Sequence, residues 1–144
     1  MIKKIFVFVF LLSISFTQDK LILQQADLLK SSVINNETIT QLSGNIIFKK
    51  NNTILKSDFA TQYEKSPLVK LNNNVVVKKE SQTIYCDSLI YNQDSQFFSM
   101  YGNVRIDDKQ RSMQSNKALL DEKTEQITLI ENCQINENDK HTIY

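Results

Sequence analysis

From residue 42 onward, apolar side chains recur at every second position in short runs, and each run ends in a polar cluster. Alternation at period two predicts strands with one buried face. The first set of inward positions is Ile46 and Phe48, then Leu55, Ser57 and Ala60, then Val69 and Leu71. The second is Val75 and Val77, then Ile84, Cys86, Leu89 and Tyr91, then Phe98 and Met100. The third is Val104 and Ile106, then Met113, Ser115, Ala118 and Leu120, then Ile127 and Leu129. Cys133 and Ile135 open a fourth. The residues between them, such as Ile47, Val76, Arg105 and Gln134, become polar along the chain and are read as outward. Polar stretches at 49–52, 64–67, 78–82, 92–95, 107–111, 121–125 and 136–140 are read as turns.

The order of these features repeats every 29 residues. Asn stands at 45, 74, 103 and 132, always just before or inside an apolar run. Both glycines of the chain, Gly44 and Gly102, precede such an Asn, and Asn73 fills the same slot between them. A glycine inside a strand marks a bulge or corner, and Asn is the next most tolerant of the left-handed backbone. Asp58, Asp87 and Asn116 interrupt the alternation in the neighbouring strands, and the same conformation is expected there. Segment 21–32 has spacing compatible with a helix, but QQADLLKS aligns with LKSDFATQ one unit later, so it is read as a strand-forming, incomplete first unit. Each unit is thus two long strands and two turns. Corners in phase would fold one sheet over another, giving an all-β fold: a stacked antiparallel double sheet, as a β-sandwich, a jelly roll or an open solenoid.

The start of the chain differs. Lys3 and Lys4 precede a run from Ile5 to Phe16 broken only by serines, with small residues at 13, 15 and 17 for cleavage. This is the layout of a signal peptide over 1–17, with the β domain at 18–144. The run is shorter than the roughly 20 residues of a membrane span, and an uncleaved anchor is the rival reading. A length of 144 residues suits one domain, and a net charge of +1 without a long basic block gives no sign of nucleic-acid binding.

Little in the chain suggests catalysis. His141 is the single histidine, next to the end, and is read as solvent-exposed. No Cys/His cluster has metal-ligand spacing, no cofactor motif occurs, and Asp58 and Asp87 are better explained as corner residues than as a catalytic pair. Cys86 and Cys133 occupy different strand positions two units apart, which favours two buried free thiols over a bridge.

The segments GNVRI, TIYCDSLIYN and SMYGNV resemble the OstA-like N-terminal family of lipopolysaccharide-transport proteins. LptA, LptC and the periplasmic part of LptD carry such modules. The match is best at Cys86-Asp87-Ser88-Leu89-Ile90-Tyr91, recurs at Gly44, at Ser57–Ala60 and at Gly102, and covers about residues 24–144. Glu131 replaces the family's Gly, and Ser88 one of its small apolar residues. The resemblance implies an open, V-shaped β-jelly roll in the periplasm. Its apolar groove would shield the acyl chains of lipopolysaccharide or a related glycolipid. The lining would be the inward series: Ile46, Phe48, Leu55, Ala60, Val69, Val75, Val77, Ile84, Leu89, Tyr91, Phe98, Val104, Ile106, Met113, Ala118, Leu120 and Ile127. Gly44, Asn73, Gly102, Asp58, Asp87 and Asn116 would be structural corners. Like modules would join by pairing terminal strands, with no cofactor and no enzymatic activity. The final HTIY falls inside the fourth unit's second strand, so either the sequence is a piece of a longer protein or it ends on an edge that a partner strand covers. Lys49 and Arg105 would be solvated or would meet lipid phosphates. The alternative is a structural or adhesive β-repeat module with a closed core and no lipid. The small inward residues Ser57, Ala60, Ser115 and Ala118 lean toward a cavity.

Overall fold

The computed structural model describes residues 20–137, so the leader, His141 and the terminal HTIY lie outside the described residues. Within them every regular element is a strand: β1 (Ile22–Gln25), β2 (Leu28–Ile34), β3 (Glu37–Lys50), β4 (Thr53–Tyr63), β5 (Leu68–Lys79), β6 (Gln82–Asn92), β7 (Phe97–Asp107), β8 (Arg111–Asp121), β9 (Gln126–Ile130) and β10 (Gln134–Glu137). Consecutive strands from β3 to β8 pair antiparallel, each with the next. The helical option for 21–32 fails: the segment is β1 and β2, split at Ala26-Asp27. The predicted turns from 49–52 to 121–125 fall between strands, although β3 and β5 run on through Lys50 and Lys79, which the pattern assigned to turns; of the turn expected at 136–140, Asn136 and Glu137 belong to β10 and the rest lies outside the described residues.

Every long strand is broken into two halves at one level. Register jumps between Ser43 and Ile46, between Asn72 and Val75, and between Tyr101 and Val104. In each case two residues on one strand face one on its neighbour, the definition of a bulge. The paired residues are Gly44-Asn45, Asn73-Asn74 and Gly102-Asn103, and all six have positive φ, from 47° to 78°. The single residues opposite are Asp58, Asp87 and Asn116. The edge strands break at the same level. Thus β1 pairs with the second half of β3 and β2 with the first, while β10 and β9 divide β8 likewise.

Asp58, Asp87 and Asn116 therefore do a different job from the one expected. They do not adopt the left-handed backbone, which belongs to the Gly-Asn and Asn-Asn pairs. Instead the Asp carboxylates accept hydrogen bonds from the second Asn of the adjoining pair. Asn45 donates to Asp27 at 2.8 Å, Asn74 to Asp58 at 2.7 Å and Asn103 to Asp87 at 2.9 Å. Gly44 and Gly102 lie so close to the carboxylates of Asp27 and Asp87 that a Cβ there would collide with them. The fourth pair, Glu131-Asn132, is also left-handed, at 65° and 52°. Asn116 N–H donates to Glu131 O at 2.9 Å, just as Asp27 N–H donates to Gly44 O at 2.9 Å. The backbone corner thus survives the loss of Gly.

The two halves fold over each other about this line of corners. Side chains then meet from strands far apart in the pairing order: Lys50 of β3 reaches Tyr91 of β6 and Glu122 after β8, and Lys79 of β5 reaches Glu125. The result is an open antiparallel double layer. One layer holds β2, β9 and the halves near the 64–67, 93–96 and 122–125 turns; the other holds β1, β10 and the remaining halves. The sheet does not close, because β1/β2 and β9/β10 remain as edges.

Candidate functional site

The face between the layers is a continuous apolar surface. Leu42, Ala60, Val69, Leu71, Leu89, Tyr91, Phe98, Met100, Ala118 and Leu120 come from one layer. Ile46, Phe48, Leu55, Val75, Val77, Ile84, Cys86, Val104, Ile106 and Met113 come from the other. All belong to one cluster, and most are almost fully buried. Tyr91 and Phe98 stack with ring centroids 4.3 Å apart. Burying a large aliphatic or aromatic side chain stabilises by about 1.5–3 kcal/mol, so this face dominates the stability of the sheet. Ser57 and Ser115, the small polar members, donate to Phe59 O at 3.0 Å and Lys117 O at 2.8 Å, across their own corners. Their side chains are used locally, and in this conformation the layers are filled with side chains.

The structure therefore brings together the whole predicted inward series except at its end. Ile127 is half-buried and packs on the rim of the cluster. Cys133 is exposed, against the expectation of a buried thiol, because it lies in the unpaired link between β9 and β10. Ile135 faces the same way as its partner Met113 but is 59% exposed. Both cysteines are free. Burial and the neighbouring Asp87 charge push the Cys86 thiol up to about 12, so it stays protonated and inert at neutral pH.

The inner face also runs out uncovered at the other edge. Leu29 pairs with the buried Leu42 and shares its orientation, as does Val33 two turns of alternation further on, yet they are 55% and 72% exposed. The layers are offset across the fold, so one layer overhangs at the N-terminal edge and the other at the C-terminal edge.

Opposite the corners, the layers are closed by a polar seam that the pattern did not reveal. Lys50 Nζ is 2.5 Å from Glu122 Oε2 and donates to Tyr91 Oη at 2.7 Å, and Tyr91 Oη donates to the same Glu122 oxygen at 3.1 Å. Lys50 and Glu122 side chains are only 5% and 9% exposed. Burial alone would lower the Lys50 pKa, but the hydrogen bonds to Glu122 and Tyr91 reverse the shift, so the ammonium titrates above its ordinary value. Burial raises the Tyr91 phenol, with the Lys50 hydrogen bond acting in the opposite direction. The available signal was phase: Lys50 follows Ile46 and Phe48 at period two, so it had to point inward. Lys79 repeats the position after Val75 and Val77 and pairs with Glu125 at 3.3 Å, in a more exposed copy of the seam.

Lys49 and Arg105 sit on the outer faces, away from the interior. Arg105 stacks on Tyr85, with its guanidinium carbon 4.3 Å from the ring centroid, and its Nε lies 3.1 Å from Asp107. Among the described residues no group of three or more His, Cys, Asp and Glu side chains could hold a metal ion. The site is therefore an apolar interior packed between two layers, with one buried ionic seam and uncovered apolar strips at both edges.

Such an architecture is that of an open antiparallel β-jelly roll. A family model described as lipopolysaccharide-assembly, LptC-related matches residues 30–138, and the chain belongs to that family. The fold is also similar to the solved structure of LptH, the LptA-homologous periplasmic component of the conserved lipopolysaccharide transport device from Pseudomonas aeruginosa. That similarity has a TM-score of 0.68 at 11% identity, and covers 83% of this chain and 96% of the other. The search of curated proteins found no match.

Proposed function

We propose that this chain is a periplasmic module that carries lipopolysaccharide, or a related glycolipid, toward the outer membrane. It would hold the acyl chains between its two layers and pass them to like modules joined edge to edge. The observation that carries this reading is the apolar inner face that continues, uncovered, to Leu29 and Val33 at one edge and Ile135 at the other. A free-standing closed core would cover those strips, whereas a stack of modules continues them. Each acyl CH₂ transferred from water is worth about 0.8 kcal/mol, which gives an alkyl chain a strong preference for such a face. Since the interior is filled by side chains, lipid entry requires the layers to splay. The hinge would be the line of corners, and the moving edge the Lys50–Tyr91–Glu122 seam. The β1/β2 and β9/β10 edges, which pair with no further strand among the described residues, supply main-chain donors and acceptors for strand addition. The leader over 1–17 would direct export, and residues 18–144 would form the module.

The test is photo-crosslinking in cells from Phe48, Val77 or Phe98 on the inner face and from Val76 or Arg105 on the outer face. Adducts with lipopolysaccharide from the inner positions only are expected. Adducts confined to Val76 and Arg105, or none at all, would overturn the carrier reading and favour the structural β-repeat module.

A further inference from the structure

A cavity of about 450 Å³ lies where β10 splits from β9 beside β8. Its wall is built from Tyr85, Val104, Arg105, Gln114, Ser115, Asn116, Asn132 and Gln134, with the Asn103 corner at its border. Four of these are side-chain amides. They arise at the one corner where the repeat departs from its rule. At the other three corners an Asp locks the adjoining Asn with a hydrogen bond of 2.7–2.9 Å. Here Asn116 replaces the Asp, and among the described residues neither Asn116 nor Asn132 has a side-chain hydrogen bond of that kind. The backbone bond from Asn116 N–H to Glu131 O keeps the corner in shape at 2.9 Å. Two amides are thereby released from architecture and turned to the cavity. Gln114 and Gln134, directly paired across β8 and β10, present a second pair beside them.

Amides offer both donors and acceptors, the combination that sugar hydroxyls need. Arg105 adds a cation. Its face is held on Tyr85 and its Nε by Asp107, which leaves the two terminal nitrogens as a fork suited to a carboxylate or phosphate.

We propose that this cavity is a saccharide site that takes an acid-bearing oligosaccharide, the hydroxyls going to the amides of Gln114, Asn116, Asn132 and Gln134 and the acidic substituent to Arg105. The proposal rests on the carrier reading, since the sugar portion of a glycolipid must lie outside the apolar interior that holds its chains. A saccharide on the outer face beside the C-terminal edge would be held while the acyl chains moved between modules.

The experiment is an NMR titration of the ¹⁵N-labelled protein with fully deacylated lipopolysaccharide core oligosaccharide, and separately with maltoheptaose as an unacidic sugar. The core oligosaccharide is expected to shift the side-chain amide signals of Asn116, Asn132 and Gln114, and maltoheptaose to bind about tenfold more weakly. Asn116→Asp, which restores the repeat's own lock on Asn132, is expected to keep the fold and weaken core binding about tenfold. Gln114→Ala, at an exposed position, should weaken it with no change in thermal midpoint. Absence of these shifts, equal binding of the two sugars, or full binding by Asn116→Asp would each overturn the site. No acyl chain is present in the titration. Loss of the sugar site with intact Phe48 crosslinking to lipopolysaccharide would therefore remove this inference alone. Sugar binding without interior crosslinks would instead remove the carrier reading.

Discussion

Lys50 Nζ and Glu122 Oε2 lie 2.5 Å apart although 72 residues separate them, and they join the two layers at the edge opposite the corners. A buried pair of this kind adds little net stability, but removing one partner strands the other charge. Lys50→Met is expected to cost about 3 kcal/mol, whereas replacing both with Met and Leu should cost much less. Chemical denaturation of the single and double variants checks this. If the seam is also the moving edge, the double variant will show faster amide exchange in β3 and β8 and increased lipid crosslinking from Phe48.

The same seam sets the alkaline limit. The folded pKa of Lys50 is raised, so its contribution is complete below the unfolded value near 10.5 and is lost as pH rises through the folded value. The folded pKa of Tyr91 is also raised, so the folded state holds that proton more tightly and stability again falls as pH climbs above the unfolded value near 10. Both signs agree. Stability from this seam should be flat through neutral pH and decline above about pH 10, more steeply than in the Lys50→Met, Tyr91→Phe double variant. Urea midpoints measured from pH 7 to 11 test the difference.

Gly102 has φ 78° and lies against Asp87, so a Cβ meets both backbone strain and a carboxylate. Gly102→Ala should destabilise by about 1–3 kcal/mol. Gly102→Asn should be milder, because Asn73 holds the equivalent corner at φ 63°. Thermal midpoints of the two variants should fall in that order.

Thiol chemistry separates the two cysteines. Cys133 is exposed, and Cys86 is buried with its thiol pushed up to about 12. A thiol reagent at neutral pH should titrate one group in the folded protein and two after denaturation, with the fast reaction absent in Cys133→Ser.

Edge association depends on the uncovered strips. Leu29→Asp and Ile135→Lys, both at exposed positions that face inward, should leave the unfolding free energy within about 0.5 kcal/mol of the parent. They should also suppress concentration-dependent self-association in sedimentation experiments. Unchanged association would show that these strips are not the contact.

The sequence by itself determined the strands, the period of 29 and the side each residue faces, because all three follow from local alternation and from the few residues that tolerate a left-handed backbone. It placed the corners at Gly44, Asn73 and Gly102 but assigned Asp58 and Asp87 the wrong conformation, since a register slip looks the same whether it comes from φ or from a two-against-one pairing. Tertiary structure alone decided what meets across the layers. Lys50 reaches Tyr91 and Glu122 only because the halves fold over with an offset, and that offset is a property of accumulated sheet twist rather than of any short segment. The same offset leaves Leu29 and Ile135 uncovered at opposite edges and Cys133 in solvent, although their apolar character and phase were identical to those of residues at the centre of the core.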